Sequence, residues 1–199
     1  DRRVAEGGGG RPGETDGLSI HGLETPSFAR FASLSGVVPL VAVVSGRCFA
    51  GNAALVGCCD VIIATRDANL GMSGPAMIEG GGLGVYQPED IGPASLQAAN
   101  GVVDLVVDDE AAATAATRRY LSYFQGALPD WRCADQRELR WSIPENRRRG
   151  YDIRALIRTL VDEDSVFELK AEYGPGMVTA LVRIEGRPMG LIANNPMHL

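Results

Sequence analysis

The stretch that decides the fold is Val38–Thr65, VPLVAVVSGRCFAGNAALVGCCDVIIAT. A continuous run of apolar β-formers, Val37 to Ser45, reads as a strand buried on both faces. It gives way to Gly-Arg-Cys-Phe-Ala-Gly-Asn. Asn52 to Gly57 then reads as a short alanine-lined helix, and Cys59 to Ala64 as the next strand. A strand, a loop of small residues and a helix start aim several main-chain N–H groups at one point. Two such donors can hold a developing oxyanion. Ala50 and Gly51 are the candidates, since neither carries a side chain that blocks approach. Tight packing of helix on strand selects Gly and Ala just as well, and spacing alone favours that plainer account.

Outward from this stretch, Thr25 and Pro26 open a predicted helix with Phe28, Phe31 and Leu34 or Ala32 on one face, stopped at Gly36. The segment from Ala5 to Gly17 reads as loop. Downstream, Leu70 to Met72 is extended. Ser73-Gly74-Pro75 turns into a short helix, and Gly80 to Gly84 is glycine-rich. A strand over Val102–Val107 leads to a helix capped by Asp108 or Asp109. Gln125 to Arg149 is polar, punctuated by proline and rich in arginine, which predicts a surface linker anchored by Trp131 and Trp141. An amphipathic helix follows, with Ile153, Leu156, Ile157 and Leu160 at helical spacing, running toward Leu169. Met177 to Asn194 reads as a hairpin about Glu185-Gly186 that needs a further partner to cover its faces.

The chain has 199 residues, 45% hydrophobic and 22% charged, with a net charge of -6. That balance fits a globular domain and argues against nucleic-acid binding. The apolar runs are too short to span a bilayer. Four cysteines without CxxC spacing predict free thiols in a cytoplasmic setting, and two distant histidines give no metal site. Glycine, at 25 residues, is well above its usual share of about 7%. The beginning at Asp1 and the stop at Leu199, just after a strand, suggest a piece of something larger.

The stretch Val38–Pro75 resembles the core of the crotonase superfamily. Together with GVVDLVVDDEAAATAATRRYLSYF, IPENRRRGYDIRALIRTLVDEDSVFEL and YGPGMVTALVRIEGRPMGLIANNP, it is similar to the carboxyltransferase domain of biotin-dependent acyl-CoA carboxylases. GRCFAGNAAL and GPAMIEGGGLGVYQPEDIGP lie nearest the single-chain, long-chain group. The resemblance implies an α/β, crotonase-like layered fold. It divides the chain into residues 1–124, the later part of a first subdomain, a linker at 125–149, and 150–199, the start of a second subdomain.

The resemblance also implies carboxyl transfer from carboxybiotin to the α-carbon of an acyl-CoA through an enolate. Ala50 and Gly51 take the place of the Gly-Gly pair in the family's Cys-Ala-Gly-Gly-Ala loop. Asn52, Gly74 and Pro75 would border the substrate. Biotin would arrive on a carrier domain, with no metal in this chain. The implied partners are biotin carboxylase, the biotin carboxyl carrier and further carboxyltransferase subunits, in a hexamer. Weaker candidates are Arg11, Glu79 and Arg147 to Arg149. Two other readings stand beside this one: an enoyl-CoA hydratase or isomerase, and a non-catalytic segment serving as an assembly surface.

Overall fold

A computed structural model describes residues 2–7, 26–146 and 148–198, with backbone only for 2–7. The candidates Thr25, Arg11 and Arg147 lie outside the described residues. The chain divides into two compact units, Asp1–Thr117 and Arg118–Leu199, and the division falls inside the helix Glu110–Ser122.

The first unit is a five-stranded sheet. Strands β1 (Arg2–Gly7), β2 (Val41–Phe49), β3 (Val61–Thr65) and β5 (Leu105–Val107) lie side by side in that order, and β4 (Asn69–Gly71) pairs with the far end of β2. Every pairing is parallel. Parallel strands are covered on both faces, which is why β2 and β3 read as unbroken apolar runs. On one face Ala42, Val44, Ile62 and Ala64 pack with Ala53 and Val56 of α2 (Gly51–Val56) and with Ala94 and Ala98 of α4 (Ala94–Ala99). Val61 and Ile63, alternating with them, are buried on the other face.

Two carboxylates extend the ladders beyond the strand ends. Asp60 accepts the Leu40 N–H at 2.7 Å, and Asp104 accepts the Ile62 N–H at 2.8 Å while its own N–H reaches the Ile62 carbonyl. Asp109 caps α5 (Glu110–Ser122) by accepting the Ala112 N–H at 2.8 Å.

Three boundaries differ from the sequence expectation. Ala5 to Gly7, read as loop, belong to β1, because β2 offers them a parallel partner. The strand expected over Val37–Ser45 instead runs Val41–Phe49, since Arg47 to Phe49 find hydrogen-bonding partners in β4. In α1 (Pro26–Ala32) Phe31 alone is buried, and Phe28 and Leu34 stay partly exposed.

The second unit is built on a three-stranded antiparallel sheet, β6 (Phe167–Leu169), β7 (Met177–Ile184) and β8 (Arg187–Asn194). Helix α6 (Ile153–Leu160), capped by Asp152 accepting from the Arg154 N–H, lays Ile153 and Ile157 on Val178, Ala180 and Val182. The hairpin therefore covers one face within its own unit. The helix stops at Leu160, short of the expected Leu169, because the chain turns at Asp162 to serve β6 and the hairpin. The segment read as linker carries a 3₁₀ turn at Gln136–Trp141. Trp141 is 79% exposed, so the anchoring expected of it is not seen.

A polar knot fastens the hairpin turn. Asp162, buried, accepts the N–H groups of Glu185 and Gly186 at 3.0 and 2.7 Å. Arg183, also buried, donates to the carbonyls of Gly126, Gly186 and Ser122 at 3.0, 2.7 and 2.7 Å, with its guanidinium 5.0 Å from the centre of the Tyr123 ring. Burying these charges is tolerated because each is fully engaged.

Gly186 sits at φ +74, and a Cβ there would come within 2.3 Å of the Leu128 carbonyl oxygen. Gly174, at φ +61, has open space where a Cβ would go. Gly186→Ala is therefore expected to cost about 3 kcal/mol or more, from backbone strain and clash together. Gly174→Ala should cost only the left-handed backbone term of about 1–2 kcal/mol. Urea denaturation of the two variants checks the difference.

Candidate functional site

β2 bends at Gly46, whose φ is +73. Before the bend, Val41 to Val44 pair with Val61 to Ala64 of β3; after it, Arg47, Cys48 and Phe49 pair with Asn69, Leu70 and Gly71 of β4. The strand then stops at one residue. Ala50 has φ 55 and ψ -122, the mirror image of the first corner of a type II turn and a conformation that favours glycine. Its N–H donates to the Gly71 carbonyl at 3.2 Å, and its carbonyl accepts the first helical bond from the Ala54 N–H at 3.0 Å. Helix α2 starts immediately, at Gly51.

This elbow turns the chain within two residues and exposes the start of a helix. The amides of its first turn have no acceptor inside the helix, and Gly51 stands first among them. A Cβ on Gly51 would lie 3.0 Å from the ring of Phe28, so α1 presses close against the backbone here. Asn52, half-buried, is the second residue of α2. The expected pair is thus side by side in space, with one distinction the sequence does not reveal. The Ala50 amide is already engaged by Gly71, whereas the Gly51 amide occupies a position with no helical acceptor.

Gly74 and Pro75 follow Gly71 by a few residues. Gly74 is the extended residue before α3 (Pro75–Gly80), and Pro75 takes its first position. Both are half-buried; Glu79, later in α3, is exposed. Arg148 and Arg149 are exposed in the second unit.

The excursion that carries Gly74 and Pro75 is clipped where it returns. The buried Asn69 side chain donates to the carbonyls of Glu89 and Ile91, both at 3.0 Å. The Leu70 N–H reaches the Gly92 carbonyl at 2.8 Å, and Gln97 donates to the Leu70 carbonyl at 2.6 Å. Arg47, at the end of β2, pairs with Glu89. Hydrogen bonds from the backbone amide of Glu89 and from Arg47 hold the Glu89 carboxyl below its ordinary range. Phe28, Arg47, Asn69 and Gly71 all shape the elbow, and local pattern could not single them out, because each acts through a partner distant in sequence.

Cys48 precedes the elbow by two residues and is fully buried. Burial pushes its thiol up to about 11. It is a packing residue, as expected of a buried free thiol. Among the described residues no three His, Cys, Asp or Glu side chains gather as a metal site. Among them, too, no helix is long and apolar enough to cross a membrane.

A strand end, a one-residue turn and a helix start recur in many α/β folds and do not fix a chemistry; comparison with known proteins supplies the class. The family described as Carboxyl transferase domain matches residues 7–199. The chain is 32% identical to the methylmalonyl-CoA carboxyltransferase 12S subunit of Propionibacterium freudenreichii subsp. shermanii, over 96% of this chain and 38% of that protein. It is 31% identical to the biotin-dependent acetyl-/propionyl-coenzyme A carboxylase beta6 subunit of Mycobacterium tuberculosis, over 86% of this chain and 37% of that one.

Among solved structures, a single-chain, multi-domain long-chain acyl-CoA carboxylase superposes with a TM-score of 0.93 at 61% identity, covering 100% of this chain and 20% of that one. The transcarboxylase 12S structure with hydrolysed methylmalonyl-coenzyme A bound superposes with a TM-score of 0.75 at 30% identity, covering 86% of this chain and 36% of that one. The chain belongs to the carboxyl transferase domain family, and its fold is of the crotonase-like α/β class expected from the sequence. It spans less than two fifths of the length of these curated relatives. The relatives reported are carboxyltransferases and carboxylases rather than hydratases.

Two outcomes follow from the elbow. Ala50→Gly relieves a strained φ worth about 1–3 kcal/mol against a glycine entropy cost of about 0.5–1 kcal/mol. It should therefore raise stability by about 1 kcal/mol in urea melts. Iodoacetamide at pH 8 should leave Cys48 unmodified in the folded chain and label it in urea, as read by peptide mass spectrometry.

Proposed function

We propose that this chain is part of the carboxyltransferase component of a biotin-dependent acyl-CoA carboxylase, and that the Ala50–Gly51 elbow holds an anionic oxygen during carboxyl transfer. The observation that carries this reading is the elbow itself: a strand end, one residue at positive φ and a helix beginning at Gly51, in a chain of the carboxyl transferase family. Carboxybiotin, when brought by its carrier, supplies the carboxyl group. The elbow's amides suit either the thioester oxygen of the acyl-CoA enolate or the ureido oxygen of biotin, since both are small anions that accept from N–H donors.

In this reading Gly51 is the principal donor. The Ala50 N–H becomes the second donor only by releasing the Gly71 carbonyl, a concession the incoming negative charge repays because charge-assisted bonds are the stronger ones. Gly74 and Pro75, on the segment that leaves Gly71, border the substrate, and Asn52 offers an amide beside the first-turn donors.

The partners are biotin carboxylase, the biotin carboxyl carrier and further carboxyltransferase copies, in a hexamer such as the transcarboxylase 12S structure forms. The high identity to a long-chain acyl-CoA carboxylase makes long-chain acyl-CoA the substrate of choice. Four free thiols suit a cytoplasmic setting.

The test compares two substitutions at one residue. Gly51→Ala adds a Cβ against Phe28 and keeps the amide. Gly51→Pro places the same Cβ against Phe28, adds two further ring carbons closed onto the nitrogen and so deletes the amide, at the first position of a helix, where proline is accommodated. In the assembled carboxylase Gly51→Pro should lower kcat about 10²–10³-fold beyond Gly51→Ala, the usual loss for one oxyanion donor. KM for the acyl-CoA should change little. Equal kcat in the two folded variants would remove the elbow from the chemistry.

A further inference from the structure

Helix α4 carries one residue that breaks its pattern. Ala94 and Ala98 pack into the core of the first unit, and Gln97, three residues after Ala94 and next to Ala98, shares that face. Helical spacing calls for an apolar residue there, and burying an amide is costly unless it is hydrogen-bonded. A polar residue at a core position is the kind of local inconsistency that marks a task beyond packing. Gln97, half-buried, gives its side-chain N–H to the Leu70 carbonyl oxygen at 2.6 Å. Its own backbone is held at both ends. Its N–H reaches the Pro93 carbonyl at 3.0 Å, and its carbonyl accepts the N–H groups of Val102 and Val103 at 2.8 and 3.0 Å.

The surroundings are shaped for this bond. β4 pairs with β2 along one edge, and residues 92–94 run antiparallel along the other. There the Leu70 N–H reaches the Gly92 carbonyl at 2.8 Å and the Ala94 N–H reaches the Ala68 carbonyl at 2.9 Å. Gly92 has φ +55, and a Cβ on it would lie 2.0 Å from the Leu70 carbonyl oxygen and 2.8 Å from the Gln97 amide nitrogen. Any larger residue would fill the space in which Gln97 meets Leu70. Successive residues of a strand turn their N–H and C=O groups to opposite edges. The groups of Leu70 therefore face Gly92 and Gln97, while the next carbonyl, that of Gly71, faces β2 and accepts the Ala50 N–H at 3.2 Å.

We propose that Gln97 is a positioning residue for carboxyl transfer: by gripping the Leu70–Gly71 peptide it fixes the carbonyl that holds the Ala50 amide, and so aims the elbow. This inference rests on the carboxyltransferase reading above. Gln97 acts through β4. If the Gly71 carbonyl drifts, the strained Ala50 corner relaxes, and the amides of Ala50 and Gly51 no longer converge. A misplacement of about 1 Å can cost 10²-fold in rate, so the smaller drift of a strand still paired to β2 is expected to cost about tenfold.

The test uses the assembled carboxylase with palmitoyl-CoA. Gln97→Met keeps the length of the side chain and removes its donor. It should lower kcat about tenfold and leave KM for the acyl-CoA within about twofold, since binding remote from the reacting carbon is untouched. Ser95→Gly, at an exposed position of the same helix, loosens α4 without touching Leu70 and should leave kcat unchanged. The decisive measurement combines Gln97→Met with Gly51→Pro. Groups that act as a unit are not additive, so Gln97→Met should cost less than about threefold once the Gly51 donor is gone. Should Gln97→Met not fold, Gln97→Asn, which draws the donor back by one methylene, is expected to lower kcat in the same direction.

Wild-type kcat in a folded Gln97→Met protein, or a rise in KM alone, would overturn the positioning role and leave the Gly51 donor standing. The same tenfold loss with and without Gly51→Pro would also overturn it, as would an equal loss in Ser95→Gly, because both mark general support of the fold. Equal kcat in Gly51→Pro and Gly51→Ala would instead remove the elbow reading, and this inference with it.

Discussion

The bond from the Ala50 N–H to the Gly71 carbonyl joins the end of β2 to the end of β4, and the elbow depends on it. A residue other than glycine at φ 55 and ψ -122 is strained, and such strain persists only where the surroundings over-determine it. Here they do so from both sides. Upstream, Arg47 to Phe49 are locked to β4, with Cys48 and Phe49 buried. Downstream, Ala53 and Val56 draw α2 into the core of the first unit. Between those two fixed ends the chain has one residue in which to turn. The geometry that frees a helix amide at Gly51 is therefore a product of sheet pairing and core packing, and the elbow residues do not hold it alone.

The second unit solves a different problem. Its sheet has three strands, little core and a buried acid and a buried base. Asp162 and Arg183 are each satisfied by main-chain groups. A carboxylate holding the amides of a tight turn, and a guanidinium holding three carbonyls, tie the hairpin, the end of α5 and the residues after it into one knot. Lysine could not replace Arg183 here, because the planar fork reaches three acceptors from a fixed plane.

Much of this was legible in the sequence where the signal is local. The Glu185-Gly186 turn, a cap at Asp108 or Asp109, Pro75 at a helix start and the apolar runs of β2 and β3 all follow from neighbouring residues. The elbow too could be placed at Ala50–Gly51, because small residues between strand and helix are a local pattern. What stayed hidden is long-range. Arg47 to Phe49 look like loop until β4 supplies a partner, and Ala5 to Gly7 look like loop until β2 does. That Ala50 has spent its amide on Gly71 depends on a residue far along the chain. Phe167 to Leu169 form a strand because β7 accepts them, while their own sequence reads equally well as the tail of a helix.

β2 has a further property that follows from its bend at Gly46. The strand is registered twice, against β3 on one side of the bend and against β4 on the other. Each register fixes which side chains face the core, and a slip of one residue would turn them outward. The few residues between Val44 and Gly51 therefore act as a ruler. A substitution along it changes a side chain and leaves both registers in place. Insertion or deletion there would misalign one register or the other. Divergence in this stretch should accumulate as substitutions at constant spacing, and distant members would be recognised more surely by its length than by its letters.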